Sequence, residues 1–334
     1  MRLLLVDGHY YAYRSFFAIR SLSNSRGEPT NALYGLAKTL KRMNAELKPD
    51  LAAFVLDGGL PASRMEVQPD YKANRSETPP DLALQFPLLG QVAAVLGHTT
   101  ICVEGEEADD LLASYAREAS RRGIEVILAT NDKDLMQLVG ETGGAVTVYQ
   151  PVTGGEGFGL LDSAGVAAKW GVPPERIGDL LTLTGDAVDN IPGVPGVGPK
   201  TAAALLQEHG TLDVLIEVLA TAPTRIKSEK LRAALVAARE SGHLARNRIM
   251  VSLRDALPLP VAIDALPFRP DPAQQAALFA KLEFRTLQRE AEALLGGAGA
   301  GGSTPAIPVA PAPAVTPTAP PPAPSSLVQG DFLL

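Results

Sequence analysis

Short, unbroken apolar runs alternate with longer stretches of helical period along the first half of the chain. The runs are RLLLV (2–6), LAAFVL (51–56), TTICV (99–103) and EVILAT (125–130). The helical stretches are NALYGLAKTLKRMNAEL (31–47), LALQFPLLGQVAAVLG (82–97) and ADDLLASYAREASRRG (108–123). This βαβ rhythm predicts an α/β fold whose strands, apolar throughout, form a parallel sheet covered on both faces, with right-handed crossovers. Ligands of such sheets sit at the carboxyl ends of the strands. Beyond about residue 170 the strand-like runs cease, and helical pattern broken by glycine-rich turns predicts a second, helical subdomain. From Gly296 to Leu334 there are nine prolines and one charged side chain, Asp331. Such a composition offers too little burial to offset chain entropy, so 296–334 reads as a disordered Ala/Pro-rich tail.

Composition narrows the chemistry. With 46% hydrophobic and 20% charged residues among 334, the chain can build the core of about two domains. MRLLLVDGHYYAYR fails as a signal peptide and no stretch reaches membrane-spanning length, so no membrane association and a cytoplasmic location are expected. The single cysteine, Cys102, excludes a disulfide framework and a cysteine-built zinc site. Metals must then be held by oxygen. The four histidines, His9, His98, His209 and His243, are scattered and read as ordinary surface or core residues. A formal charge of −7 argues against nucleic-acid binding unless the acids are clustered on metal.

They are clustered. RLLLV runs into Asp7, LAAFVL into Asp57, and EVILAT into Asn131, Asp132 and Asp134. In EGEEADDLL, Glu107 and Asp110 are three apart with Asp109 beside them at the start of a helix, within reach of the same rim. Acids in a first helical turn also complement the macrodipole, and Asp is common in turns, so one such motif alone means little. Carboxylates converging from three strand ends and a helix start repel each other unless a cation neutralises them. A hard divalent ion is the simplest solution, and two ions about 3.5–4 Å apart can clamp an in-line displacement at phosphorus. Serine and cysteine show no nucleophile spacing that would compete.

The helical half opens with LLTLTGDAVDNIPGVPGVGPKTAAALL, in which Asp186 and Asp189 precede the glycines. GVPGVGPKT has the P-loop glycine spacing, but Pro199 stands where the phosphate-binding lysine should follow, and no strand leads into it. A helix-hairpin-helix fits better. Pro192 ends one helix, Gly193, Gly196 and Gly198 allow tight turns, and Lys200 and Thr201 open the next helix. Exposed N–H groups there can grip a phosphate backbone without reading bases. RIKSEKLR adds Arg225, Lys227, Lys230 and Arg232. Standing alone it is a solvated helix face; beside a hairpin it reads as further duplex contact.

Seven segments carry a family resemblance: LLVDGHYYAYRSFFA, RGEPTNALYG, VLDG, DYKANR, EGEEADDLLASYA, ATNDKDLMQL and LTGDAVDNIPGVPGVGPKTA. Over about residues 1–290 the chain resembles the 5′ nuclease domain of bacterial DNA polymerase I and, more broadly, the flap endonucleases. The resemblance implies a PIN-like α/β metal-dependent nuclease core over 1–170 with an arch at about 60–80. It further implies a helical DNA-binding subdomain over 171–295, with the helix-hairpin-helix (helix-three-turn-helix) at about 190–206. Its metal-ligand set maps onto Asp7, Asp57, Glu107, Asp109, Asp110, Asp132, Asp134, Asp186 and Asp189, the first five as inner ligands and the last four as the outer set. Setting those nine charges aside moves the formal balance from −7 to +2. Lys72 and Arg75 match basic residues that contact the scissile phosphate; Tyr71, Arg14 and Arg64 are weaker candidates for positioning substrate. The stretch LPASRMEVQPDYKANRSETPPDL (60–82) that bears most of them is polar and proline-bearing, with the character of a surface loop.

Two or more Mg2+ or Mn2+ ions, K+ at the hairpin, and DNA with a 5′ flap, nick or free 5′ end are the implied cofactors and substrate. With no exonuclease or polymerase domain after it in this sequence, a stand-alone, monomeric nuclease is expected. The final residues Gln329, Asp331, Phe332 and Leu333 resemble the short peptide by which bacterial replication proteins bind the sliding clamp, with Gly330 where leucine is commoner. Two other readings remain open: a junction-binding protein of this fold without catalysis, and an RNA-directed 5′ nuclease.

Overall fold

The computed structural model describes residues 1–140, 143–151 and 157–297. Six strands form one sheet in the order β3-β2-β1-β4-β5-β6. They are β1 Arg2–Asp7, β2 Leu51–Leu56, β3 Thr99–Cys102, β4 Glu125–Ala129, β5 Val146–Pro151 and β6 Phe158–Leu161. The first five are parallel, and β6 returns antiparallel along β5. The apolar pattern predicts only four of these strands. Thr147 and Gln150 interrupt β5, which lies one place from the edge of the sheet and is held by pairing with β4 and β6.

The helices of the first half are α1 Gly8–Ala18, α2 Asn31–Leu47, α3 Ala62–Val67, α4 Pro80–Ala83, α5 Phe86–Val95 and α6 Ala108–Arg121. Alternate residues of β1 point to opposite faces of the sheet. Leu4 and Val6 join Leu36, Leu40, Phe54, Val92 and Ile127 on one face, while Leu3 and Leu5 join Val55, Leu111, Tyr115 and Leu128 on the other. Both faces are therefore apolar, and each such fully buried side chain contributes about 1.5–3 kcal/mol. The helical stretch 82–97 divides into α4 and α5. Between them the Gln85 side-chain oxygen accepts the N–H groups of Ala32 (2.9 Å) and Leu33 (3.2 Å), capping α2, whose own Thr30 makes no side-chain cap.

The second half comprises α7 Ser163–Trp170, α8 Ile177–Thr184, α9 Pro199–His209, α10 Leu212–Thr221, α11 Glu229–Glu240, α12 His243–Val251, α13 Pro272–Lys281 and α14 Arg285–Gly297. A two-residue antiparallel pair, β7 Gly185–Asp186 and β8 Ile191–Pro192, joins α8 to the turn before α9. Thus α8 ends at Thr184, where Gly185 (φ +67°) turns the chain, and not at Pro192. The apolar cluster of α6 continues into Leu180, Leu206, Leu215 and Leu244. Phe279, Leu282, Phe284 and Leu287 fold back onto the α2 and α5 face. No helix among the described residues is long and apolar enough to cross a membrane.

Candidate metal centre and nucleic-acid interface

The chain runs outward from β1 to β3 and returns to β4 on the other side of β1, so the switch point lies between β1 and β4. Val6 pairs with both Phe54 and Ala129, which brings the carboxyl ends of β1, β2 and β4 level. Asp7 ends β1 and caps α1: Oδ1 accepts the Tyr10 N–H (3.0 Å), and Oδ2 accepts the Thr130 hydroxyl (3.1 Å). Gly8 is required in this turn, because a Cβ there would stand 2.7 Å from Phe54 and Leu56. Asp57 Oδ1 accepts the Ala108 N–H (2.9 Å), fixing the start of α6 to the end of β2. Beyond β4, Thr130 Oγ1 accepts the Asp132 N–H (3.0 Å), and Asp132 Oδ1 accepts the Asp134 N–H (2.8 Å).

Asp7, Asp57, Asp109 and Asp132, with Lys72, Arg75 and Ala108, enclose about 10 Å³, room for about one water-sized sphere. The acids in and beside it are poorly compensated. Burial, then Asp57 and Asp132, push Asp7 up to about 7. Burial together with Asp132 and Asp7 raises Asp109 well above the carboxylate range, and burial with Asp132 and Asp186 does the same to Asp134. Asp134 Oδ1 is buried with no hydrogen-bond partner. Asp186 is raised by burial and Asp189, although Lys133 Nζ lies 3.0 Å from its Oδ2. Asp57 differs: burial works against it, but the His9 ring and the Lys72 charge hold it below the usual range.

Desolvated carboxylates with oxygen-only chemistry fit a hard divalent ion. Among the described residues no three acids already stand in an arrangement that could hold a metal ion. Glu107 and Asp189 instead face cations of segment 62–75. The fit thus lies in charge and donor type, not in a finished cage. In EDTA the melting temperature is expected to fall as pH rises from about 5 to about 8. Asp7 keeps its proton in the folded protein up to about pH 7, but in the unfolded chain only to the ordinary carboxylate range. The folded state therefore binds more protons across this window, and stability drops as pH climbs. Asp57 and Asp189, both held low, act below that window. Excess Mg2+ should flatten the slope in differential scanning calorimetry; a melting temperature rising with pH in EDTA contradicts the uncompensated rim.

Segment 61–76 departs from the expected polar loop and lies packed over the rim. Tyr71 is in the apolar core, with its hydroxyl 3.1 Å from Glu107 Oε1 and 3.2 Å from Asp189 Oδ2. Lys72 is buried, pairs with Glu107, and lies 3.8 Å from Asp189. Burial alone would lower its pKa, but Asp189 and Glu107 outweigh this and raise it, so it stays charged. Its backbone is left-handed (φ +58°), a strained conformation held by its N–H bond to the Asp189 carbonyl (3.1 Å). Arg75 donates to Asp189 Oδ1 (2.5 Å), Gln68 to the Asn190 carbonyl (2.6 Å), and Asn190 to the Asp70 carbonyl (2.7 Å). Arg64 is buried against Glu107 and Asp110. Arg14 lies apart from this group, its guanidinium over the Phe158 ring.

Residues that the sequence reading passed over also enter the site. His9 Nδ1 accepts the Asp57 N–H (3.1 Å); its place two residues after Asp7 in the strand-to-helix turn was the available signal. Thr130 and Lys133, interleaved with the acids after β4, were legible in the same way.

In the hairpin, Gly193 packs inward, since a Cβ would stand 2.0 Å from the Thr184 carbonyl oxygen. Gly196 (φ +82°) and Gly198 face open space, with nothing within 4 Å of an added Cβ. The first turn of α9, bearing exposed Lys200 and half-buried Thr201, has no side-chain cap. Lys227, just before α11, and Lys230, in its first turn, are exposed.

Residues 2–171 match the 5'-3' exonuclease N-terminal resolvase-like domain, and 172–274 match the 5'-3' exonuclease C-terminal SAM fold. The chain is 40% identical over 291 residues to the thermostable DNA polymerase I of Thermus thermophilus, covering 86% of this chain and 33% of that protein. It is 38% identical over 296 residues to DNA polymerase I of Rhizobium leguminosarum, covering 86% and 28%. The chain therefore spans about a third of the length of these relatives. Among solved structures, the bacteriophage T5 D15 flap endonuclease complex with DNA and metal ions has a TM-score of 0.59 at 22% identity, covering 89% of this chain and 100% of that one. The catalytic core of Rad2 with DNA substrate gives 0.53 at 18%, covering 88% and 91%. These structures share the fold, and the matches over 2–171 and 172–274 place the chain in the 5'-3' exonuclease family.

Proposed function

We propose that this protein is a 5′-3′ exonuclease and structure-specific 5′ flap endonuclease that hydrolyses DNA phosphodiesters with divalent metal ions. The observation that carries this reading is the meeting of Asp7, Asp57, Asp109 and Asp132 around one small cavity, with burial and neighbouring carboxylates raising Asp7, Asp109, Asp134 and Asp186. Asp7, Asp57, Glu107 and Asp109 would hold the inner ion, and Asp132, Asp134, Asp186 and Asp189 the outer. Mg2+ or Mn2+ bound there supplies charge neutralisation at the phosphate and activates water. Lys72 and Arg75, on the opposite wall, offset charge growing on the phosphoryl oxygens. The hairpin, with Lys200, Thr201, Lys227 and Lys230, holds the duplex backbone, and K+ at the 193–198 turn belongs to the same reading. The protein acts as a monomer in the cytoplasm. Cleavage of labelled 5′-flap, nicked and blunt DNA, with RNA as control, in Mg2+, Mn2+ and EDTA tests this; metal-independent cutting, or none on any DNA, refutes it.

Gly196→Val is expected to weaken duplex binding roughly tenfold irrespective of sequence, because a β-branched residue at left-handed φ costs about 1–2 kcal/mol and a side chain would stand between backbone and phosphate. Mn2+ affinity should not change. Fluorescence anisotropy on several duplexes checks this, and unaltered affinity in a folded variant would show that the duplex docks elsewhere.

Gln329, Asp331, Phe332 and Leu333 lie outside the described residues. The order of side chains supports a docking peptide for the sliding clamp, tethered by the tail and gaining local concentration from it. Deleting 329–334 should spare cleavage of free flap DNA and remove stimulation by the clamp. Absence of saturable binding of the labelled peptide to purified clamp at millimolar concentration ends the idea.

A further inference from the structure

Asp109 and Asp110 are neighbours on α6 but point about 100° apart around it. Asp109 lines the cavity with Asp7, Asp57 and Asp132. Asp110 is 0% exposed. Its Oδ1 accepts from Arg64 Nη2 (2.8 Å) and from the Arg254 backbone N–H (2.9 Å), and its Oδ2 accepts from Arg64 Nη1 (2.9 Å). Arg64, 6% exposed, also donates through its guanidinium to the Glu107 carboxylate and to the Ser252 carbonyl (3.0 Å). Ser114 closes the network, its hydroxyl bonding the carbonyls of Asp110 (2.8 Å) and Arg254 (3.0 Å).

A two-pronged arginine–carboxylate pair fixes both partners in one plane. To ligate an ion, Asp110 would have to release Arg64, leaving a buried guanidinium without its counter-charge, a strongly unfavourable change. A Mg2+ ion also keeps several waters, and a carboxylate with no exposed surface has no space for them. We propose that Asp110 lies outside the metal-ligand set and instead anchors Arg64. Through that pair, Asp110 and Arg64 act as positioning residues. Arg64 holds Glu107 in place and ties segment 61–76 to α6 and to the chain at 252–254. This rests on the reading of the rim as a metal-dependent nuclease site, and it divides the acids by what they touch.

Mn2+ titration of the full chain without DNA, followed by electron paramagnetic resonance, separates the alternatives. Asp110→Asn and Arg64→Met are expected to bind as many Mn2+ ions as the unaltered protein, with affinity or kcat lowered about 10–100-fold. Asp109→Asn should lose one ion. Amide hydrogen exchange over 62–76 should accelerate in both Asp110→Asn and Arg64→Met, with KM for flap DNA nearly constant. The double variant Arg64→Met/Asp110→Leu should lose no more kcat than the worse single variant, since the two act as a unit. If Asp110→Asn does not fold, this apolar double replacement, of the kind that buried pairs often tolerate, must still show the full ion count. Loss of an ion in Asp110→Asn or in the double variant, or losses in kcat that multiply, overturns the proposal. Full Mn2+ binding by Asp109→Asn would instead refute the metal-site reading on which it stands.

Discussion

Asp109→Asn is expected to reduce cleavage at least ~10³-fold in saturating Mg2+, while junction binding stays within a few fold. The amide preserves the shape of a side chain that shares the cavity with Asp7, Asp57 and Asp132, but it removes a charge needed to hold an ion among them. On the proposed function the hairpin and the exposed Lys200, Lys227 and Lys230 hold the duplex, and this change does not touch them. Loss of a negative charge near the phosphate should, if anything, tighten it. Burial, then Asp132 and Asp7, disfavour a charge on Asp109, and the amide escapes that cost, so in EDTA the variant should melt at a higher temperature than the unaltered protein. Rapid-quench cleavage and anisotropy on one flap substrate decide the matter. Near-normal turnover would remove Asp109 from the reaction.

Lys72→Ala is expected to lower kcat by about 10²-fold or more with little change in KM, the pattern of a group that acts mainly on the transition state. Lys72 is charged, buried, and part of the wall facing Asp7 and Asp132. Its removal also leaves Glu107 to Arg64 and Tyr71, and Asp189 to Arg75 and Tyr71. Some stability is therefore lost, and calorimetry must accompany the kinetics. A change confined to KM would make Lys72 an ordinary backbone contact.

Much of the scaffold could be read from local pattern. An apolar run ending in Asp7, Asp57 or Asp132 announces both a buried strand and its chemically active end, because strand polarity and burial are properties of consecutive residues. Thr147 and Gln150 hid β5, whose pairing is set by neighbours far along the chain. Segment 61–76 was illegible for a related reason. Its polar composition describes a loop when taken alone, yet Arg64, Tyr71 and Lys72 become buried once Glu107, Asp110 and Asp189 supply opposite charge and hydrogen-bond acceptors. The hairpin glycines looked equivalent in sequence, and only packing separates inward Gly193 from open Gly196 and Gly198. No local signal distinguishes Asp109 from Asp110; the difference lies in what each meets across the helix.

The distance along the chain between partners at the rim has a kinetic consequence. Asp7 meets Thr130 from 123 positions away, and Tyr71 meets Asp189 from 118. Each such contact requires closure of a long loop before it returns any free energy, and high contact order slows folding. Helices can form from nearer partners, while the pairing of β1 with β4 and the rim beyond it wait for distant parts of the chain. A refolding molecule should regain its far-ultraviolet dichroism well before its affinity for Mn2+, so a half-made molecule would carry the helices of the fold without its acidic rim.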